Sequence, residues 1–167
     1  LSTGISDSSD ATAITIDSSE NVGINYTTPS SMSAAANNLV VGSGTSGDNT
    51  GLTIFSNSDA SGSLHFADGT SGAAAYAGYI YYTHSSDFMG FGAGGAERMR
   101  ITAGTVGIGT TSPDNTLHIH KGTAGSVTGN TNAPLTVENS TNNFLQMLAP
   151  NANESGILFG NPTNAAN

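Results

Sequence analysis

The chain has 167 residues, 22 of them glycine, and only 9% of it is charged: twelve acids against three bases, for a net charge of -9. That balance argues against a nucleic-acid partner, whose phosphates must be met by Lys and Arg. No apolar run is long enough for a membrane-crossing helix, so no membrane insertion is expected. The chain has no cysteine, so no disulfide can supplement a core thinly stocked with large apolar side chains.

Residues 1–12 read as a linker or the end of a preceding unit. Ala13-Ile14-Thr15-Ile16 alternates and predicts a short strand. Asn21-Val22-Gly23-Ile24 predicts a second, and residues 30–38 a loop or one docked helical turn. Leu39-Val40-Val41, Leu52-Thr53-Ile54-Phe55 and Ser63-Leu64-His65-Phe66 follow as strands, the last ending at the turn pair Asp68-Gly69. Further on come Tyr79–Tyr82, Phe88–Gly92, Arg98–Ile101, Val106–Ile108, Leu117–His120 and Leu135–Glu138. Asn143–Leu148 and Gly156–Phe159 complete the series. Short strands with a turn signal every few residues predict an all-β fold. The tail from Pro162 reads as mid-linker.

Two stretches echo each other. Val22-Gly23-Ile24, with Thr27-Thr28-Pro29 behind it, keeps its register against Val106-Gly107-Ile108 and Thr110-Thr111-Ser112-Pro113. Such an echo predicts two repeat units, 13–96 and 97–167, the second cut short. A glycine inside a strand marks a bulge or a close backbone approach. Two architectures accommodate that: an intertwined fibre with the glycines near its axis, or an ordinary sandwich. Burial against other copies of the chain would supply the core that one copy lacks.

Residues 78–91, then Glu97-Arg98-Met99-Arg100-Ile101, Val106–Pro113 and Leu117-His118-Ile119, resemble in order and spacing a module of bacteriophage tail fibres and tailspikes. That module often precedes a self-cleaving intramolecular chaperone domain. The likeness covers residues 76–120, with a weaker echo at 14–29. It implies a β-rich, intertwined homotrimeric fibre of β-helix or β-prism type that positions a receptor-binding tip. Its partners would be other tail or fibre proteins and a host surface glycan, its place the virion, outside the cell. No chaperone domain is present, so Ser112 and Lys121 carry no cleavage chemistry.

His118 and His120 share one side of their strand. Around a threefold axis their nitrogens would suit an octahedral ion such as iron; the plainer reading turns both to solvent, and no other cofactor is expected. Glu97, Arg98 and Arg100 suggest ion pairs between subunits. Tyr79 and Tyr81 are candidates to stack on sugar rings, with burial as core the plainer alternative. Enzyme signatures are lacking: no triad pattern, no phosphate loop and no paired carboxylates at a motif spacing. The expected function is therefore a structural fibre segment. The alternatives are a host-glycan-binding module, a polysaccharide depolymerase fragment and the shaft of a bacterial surface adhesin.

Overall fold

The structure, a computed structural model, describes residues 13–150, 152–157 and 159. The linker expected at 1–12, Leu158 and the tail from 162 lie outside the described residues. The chain divides between Phe55 and Ser56 into two compact units, a boundary that falls inside the stretch read as the first repeat.

The first unit holds β1 (Ile14–Ile16), β2 (Val22–Ile24) and β3 (Leu39–Val41). β2 lies between the other two, antiparallel to β1 and parallel to β3. Register puts Ile14, Ile16, Val22, Ile24, Leu39 and Val41 on one face, with Thr15, Gly23 and Val40 on the other. The β1–β2 turn is held by Asp17, whose carboxylate accepts from the Asn21 backbone at 3.0 Å and its side chain at 3.1 Å. The Asn21 amide is the leading cause that holds this carboxyl below its ordinary range. Pro29–Ser31 forms a single 3-10 turn that overlaps the start of the stretch expected to be loop or helical turn.

The second unit is one seven-stranded sheet. In chain order it comprises β4 (Ser61–Phe66), β5 (Gly78–Thr83), β6 (Phe88–Ala93), β7 (Ala96–Ile101), β8 (Val106–Ile108), β9 (Leu117–His120) and β10 (Leu135–Glu138). Neighbours in sequence are neighbours in the sheet. β4 to β8 run antiparallel, and β8, β9 and β10 run parallel. Parallel neighbours need crossover connections, here residues 109–116 and 121–134. The first lies over Gly107, where an added Cβ would meet the Thr110 carbonyl at 2.6 Å. The second lies over Thr136, whose hydroxyl an added Cβ on Gly129 would meet at 2.9 Å.

Register sorts this sheet into two unlike faces. One row runs Leu64, Ile80, Phe91, Met99, Ile108, Ile119, Val137; the next runs Tyr82, Met89, Ile101, Val106, Leu117, Leu135. The opposite face carries His65, Tyr79, Tyr81, Arg100, His118, Thr136 and Glu138. Both crossovers cover the polar face. Among the described residues no large hydrophobic side chain of this sheet is fully buried, and Leu64, Phe66, Ile108, Leu135 and Val137 are exposed.

These facts correct the expected architecture. Both sheets are open, with free edges at β1 and β3 and at β4 and β10, so the chain forms neither a β-helix nor a β-prism. A β-helix needs parallel coils stacked rung on rung; here five consecutive strands meander antiparallel. Each Val-Gly-Ile strand does sit between an antiparallel and a parallel neighbour. That likeness stops there, since one sheet has three strands and the other seven, and no repetitive solenoid results. Open sheets of three and seven strands give no sign of a trimer-forming fold. The fibre role therefore gives way, together with its tail-protein and host-glycan partners and its glycan-binding, depolymerase and adhesin-shaft variants. Expected strands at Leu52–Phe55 and Asn143–Leu148 are irregular.

The tyrosine-on-glycine packing in β5 and β6 is testable by overfilling it. Gly92→Val places a branched side chain where the Tyr79 ring lies and should cost about 1–3 kcal/mol in denaturant unfolding. Gly104→Ala, with open space around it, should stay within about 0.5 kcal/mol. Equal stability of the two variants would contradict the packing described.

Candidate functional site

In the seven-stranded sheet, the clusters around Tyr79, Glu97 and His118 lie on the polar face. On β4 to β6 that face is aromatic. Tyr79 lies opposite Gly92 and Tyr81 opposite Gly90. A Cβ on either glycine would strike the facing tyrosine ring. Each ring therefore rests on the backbone of the next strand, filling the place of a missing side chain. Tyr79 and Tyr81 are tilted 60° to each other, with centroids 5.6 Å apart, so they do not form one coplanar platform. Tyr81 meets the Phe88 ring edge-on at 5.5 Å.

In β7 a bulge rewrites the alternation. Gly92 faces Glu97 and Phe91 faces Met99, leaving Arg98 as the extra residue. Strict alternation would have put Glu97 on the apolar face with Met99 and Ile101. The bulge moves it to the polar face, beside Arg100. Arg100 then grips both carboxylate oxygens, Nε to Oε1 at 2.8 Å and Nη2 to Oε2 at 3.0 Å. The Tyr81 hydroxyl donates to the same carboxylate. The guanidinium also lies 3.8 Å from the centre of the Phe88 ring and donates to the Thr111 carbonyl at 3.3 Å. Arg98 donates instead to the Ala93 carbonyl at 2.9 Å. Glu97 and Arg100 thus pair with each other inside the chain.

Desolvation works to raise the Glu97 carboxyl, but the hydrogen bonds from Arg100 and Tyr81 and the Arg100 charge outweigh it and hold the group below its ordinary range. Burial, then the adjacent carboxylate, pushes the Tyr81 phenol up to about 12.

At the other end of the face, β9 and β10 set His120 opposite Glu138. His118 is 2% exposed. Its Nδ1 accepts from the Asp114 backbone N–H at 3.3 Å, which assigns the proton to Nε2, and Nε2 donates to Glu138 at 3.1 Å. The other Glu138 oxygen accepts from the Ala124 N–H at 2.6 Å. His120 Nδ1 donates to the Gly109 carbonyl at 3.2 Å, and its Nε2 is 3.4 Å from the Thr123 hydroxyl. Both nitrogens of His118 are spent on fastening crossovers to the sheet. Among the described residues no group of three His, Cys, Asp or Glu side chains could hold a metal ion.

Sequence reasoning missed Glu138 and His65. Alternation in Leu135-Thr136-Val137-Glu138 carries the signal for Glu138, and alternation in Leu64-His65-Phe66 that for His65. Tyr76 comes from a 3-10 turn, Gly72–Tyr76, and has no periodic signal. No family model, curated protein or solved structure matches this chain, so the arrangement is interpreted from its own residues.

Two outcomes follow for the Glu97 cluster. A depressed carboxyl contributes stability that is full above its unfolded value of about 4.5 and is lost as pH falls through the lower folded value. Glu97→Gln should cost about 1–3 kcal/mol at neutral pH and flatten the acid limb of a Tm-against-pH curve; an unchanged limb would contradict the pairing. In absorbance titration, Tyr81 should ionise near 12, and Tyr81→Phe should remove that step.

Proposed function

We propose that this chain is a non-catalytic protein-association domain, in which the apolar face of the seven-stranded sheet packs on the same face of a second copy. The observation that carries the reading is the one-sided sorting of side chains: two rows of apolar side chains in register on one face, both crossovers on the other. An open antiparallel sheet with one apolar face is ordinarily completed by a second layer. A like face suits that role, because it carries no charge. Two copies of a chain with net charge -9 therefore meet there without burying a like charge.

Size supports the pairing. Seven strands spaced ~4.8 Å apart give a face roughly 29 Å wide. With strands averaging about five residues, covering it with its equal removes on the order of 1,000 Å² from water in total, about what a specific interface must clear. Aligned face-to-face packing of two sheets is a common arrangement, with the layers ~10 Å apart. It differs from a threefold wrap in keeping each sheet open and each ladder within one chain. The non-catalytic part of the reading is supported by His118 and Glu97, whose polar atoms are already committed to structural partners. The motif order over residues 76–120 supports an origin among phage surface proteins, and with it an extracellular setting.

Sedimentation equilibrium tests the pairing. The whole chain should sediment as a dimer at micromolar concentration, and Phe91→Asp, in the middle of the apolar face, should convert it to a monomer. Ser63→Asp, on the polar face, should leave the dimer intact. A wild-type monomer, a trimer, or a dimer indifferent to Phe91→Asp would overturn the reading.

A further inference from the structure

The aromatic end of the polar face has a geometry that association through the other face does not use. Three rings, His65 on β4, Tyr79 on β5 and Tyr76 on the 3-10 turn, form a nearly equilateral triangle. Their centroids are 6.5 Å (His65–Tyr76), 6.2 Å (His65–Tyr79) and 6.3 Å (Tyr76–Tyr79) apart, and their planes are mutually tilted by 55°, 57° and 56°. With Ser63 and Tyr81 they line an open cavity of about 290 Å³. Three rings around one concavity place three π systems within reach of a single bound group.

The Tyr79 ring and the turn that carries Tyr76 are held before any ligand arrives. Tyr79 is seated on Gly92. The turn that carries Tyr76 is pinned on both sides: Asp68 and Gly69 N–H groups donate to the Ala74 carbonyl at 3.0 and 3.2 Å, and the Gly95 N–H donates to the Ala77 carbonyl at 3.1 Å. A Cβ on Gly95 would press on Ala73 at 3.0 Å, so this glycine lets the turn lie against the β6–β7 hairpin.

From this geometry we infer that His65, Tyr76 and Tyr79 form an aromatic cage for a methylated ammonium cation. The faces of aromatic rings carry negative potential and attract a cation, and quaternary ammonium groups are the ligands that several rings around one centre hold best. A cation above the middle of the triangle lies within about 5 Å of all three ring centres, inside the range of that attraction. The lining supplies no carboxylate; Glu97, the nearest acid to Tyr81, is taken by Arg100 and the Tyr81 hydroxyl. A primary ammonium brings three N–H donors that need acceptors, whereas a trimethylammonium group brings none and asks only for ring faces. The excess of twelve acids over three bases adds a long-range pull on any cation. The chain already uses the same interaction inside itself, with Arg100 on Phe88.

Choline and the phosphocholine headgroup share this chemistry. The acidic chain favours the free cation over one carrying a phosphate. NMR titration of the whole chain tests the cage, with tetramethylammonium and choline as probes, phosphocholine as a second arm, and 3,3-dimethyl-1-butanol as the uncharged isostere of choline. Choline should shift the ring resonances of His65, Tyr76 and Tyr79 and bind at least about tenfold more tightly than its uncharged isostere. Tyr76→Ala, in the turn and outside the sheet ladder, should weaken choline at least about fivefold with the far-UV spectrum unchanged, and Tyr79→Phe should hold it within about twofold. Tighter binding of phosphocholine than choline would assign the site to the headgroup. Equal binding of choline and its isostere, or shifts confined to other residues, would overturn the cage. The dimer test reads a different face, so either proposal can fail alone.

Discussion

Seven strands held in one continuous register separate two chemistries across a single layer. Because each residue faces its cross-strand partner, one misplaced residue would turn a whole strand over. The ladder from Leu64 to Val137 contains no such error except at Arg98, where a bulge absorbs the extra residue. The result is one face of aliphatic and aromatic side chains and another of glycine, tyrosine, histidine and paired charge. Every later property of the molecule follows from that partition.

Among the described residues the polar face is finished within its own unit, and the apolar face is not. On the polar side, tyrosines lie on Gly90 and Gly92, Arg100 closes on Glu97, and His118 and Glu138 tie down the crossovers. Those contacts are hydrogen bonds and ring packing, which fix geometry more than they bury area. The apolar side holds most of the large hydrophobic side chains and leaves several exposed, Phe66 at 58% among them. A sheet arranged this way gains its main hydrophobic stabilisation only when a second layer arrives.

Alternation made much of this legible beforehand. Tyr79 to Tyr82, Arg98 to Ile101 and Leu117 to His120 each announce a strand with two unlike sides, and each forms one. Topology was less accessible. The Val-Gly-Ile echo suggested a repeating fibre, but nothing local to those residues specifies that five strands meander antiparallel before the chain turns parallel. Leu52–Phe55 has strand-like residues yet stays irregular, because no neighbouring strand offers it a ladder. The bulge at Arg98 was equally hidden. Its effect, bringing Glu97 round to Arg100, depends on Gly92 across the ladder. The aromatic triangle needed a turn, a strand end and a hairpin glycine to coincide, which no single stretch encodes.

Concentration dependence of thermal unfolding tests the central claim most directly, because a layer completed by a second copy makes unfolding a dissociation as well. The account predicts that Tm climbs steadily as protein concentration is raised over about two decades, by a few degrees in all. A Tm that stays flat across that range would show the apolar face to be stable without a second copy, and would contradict the account.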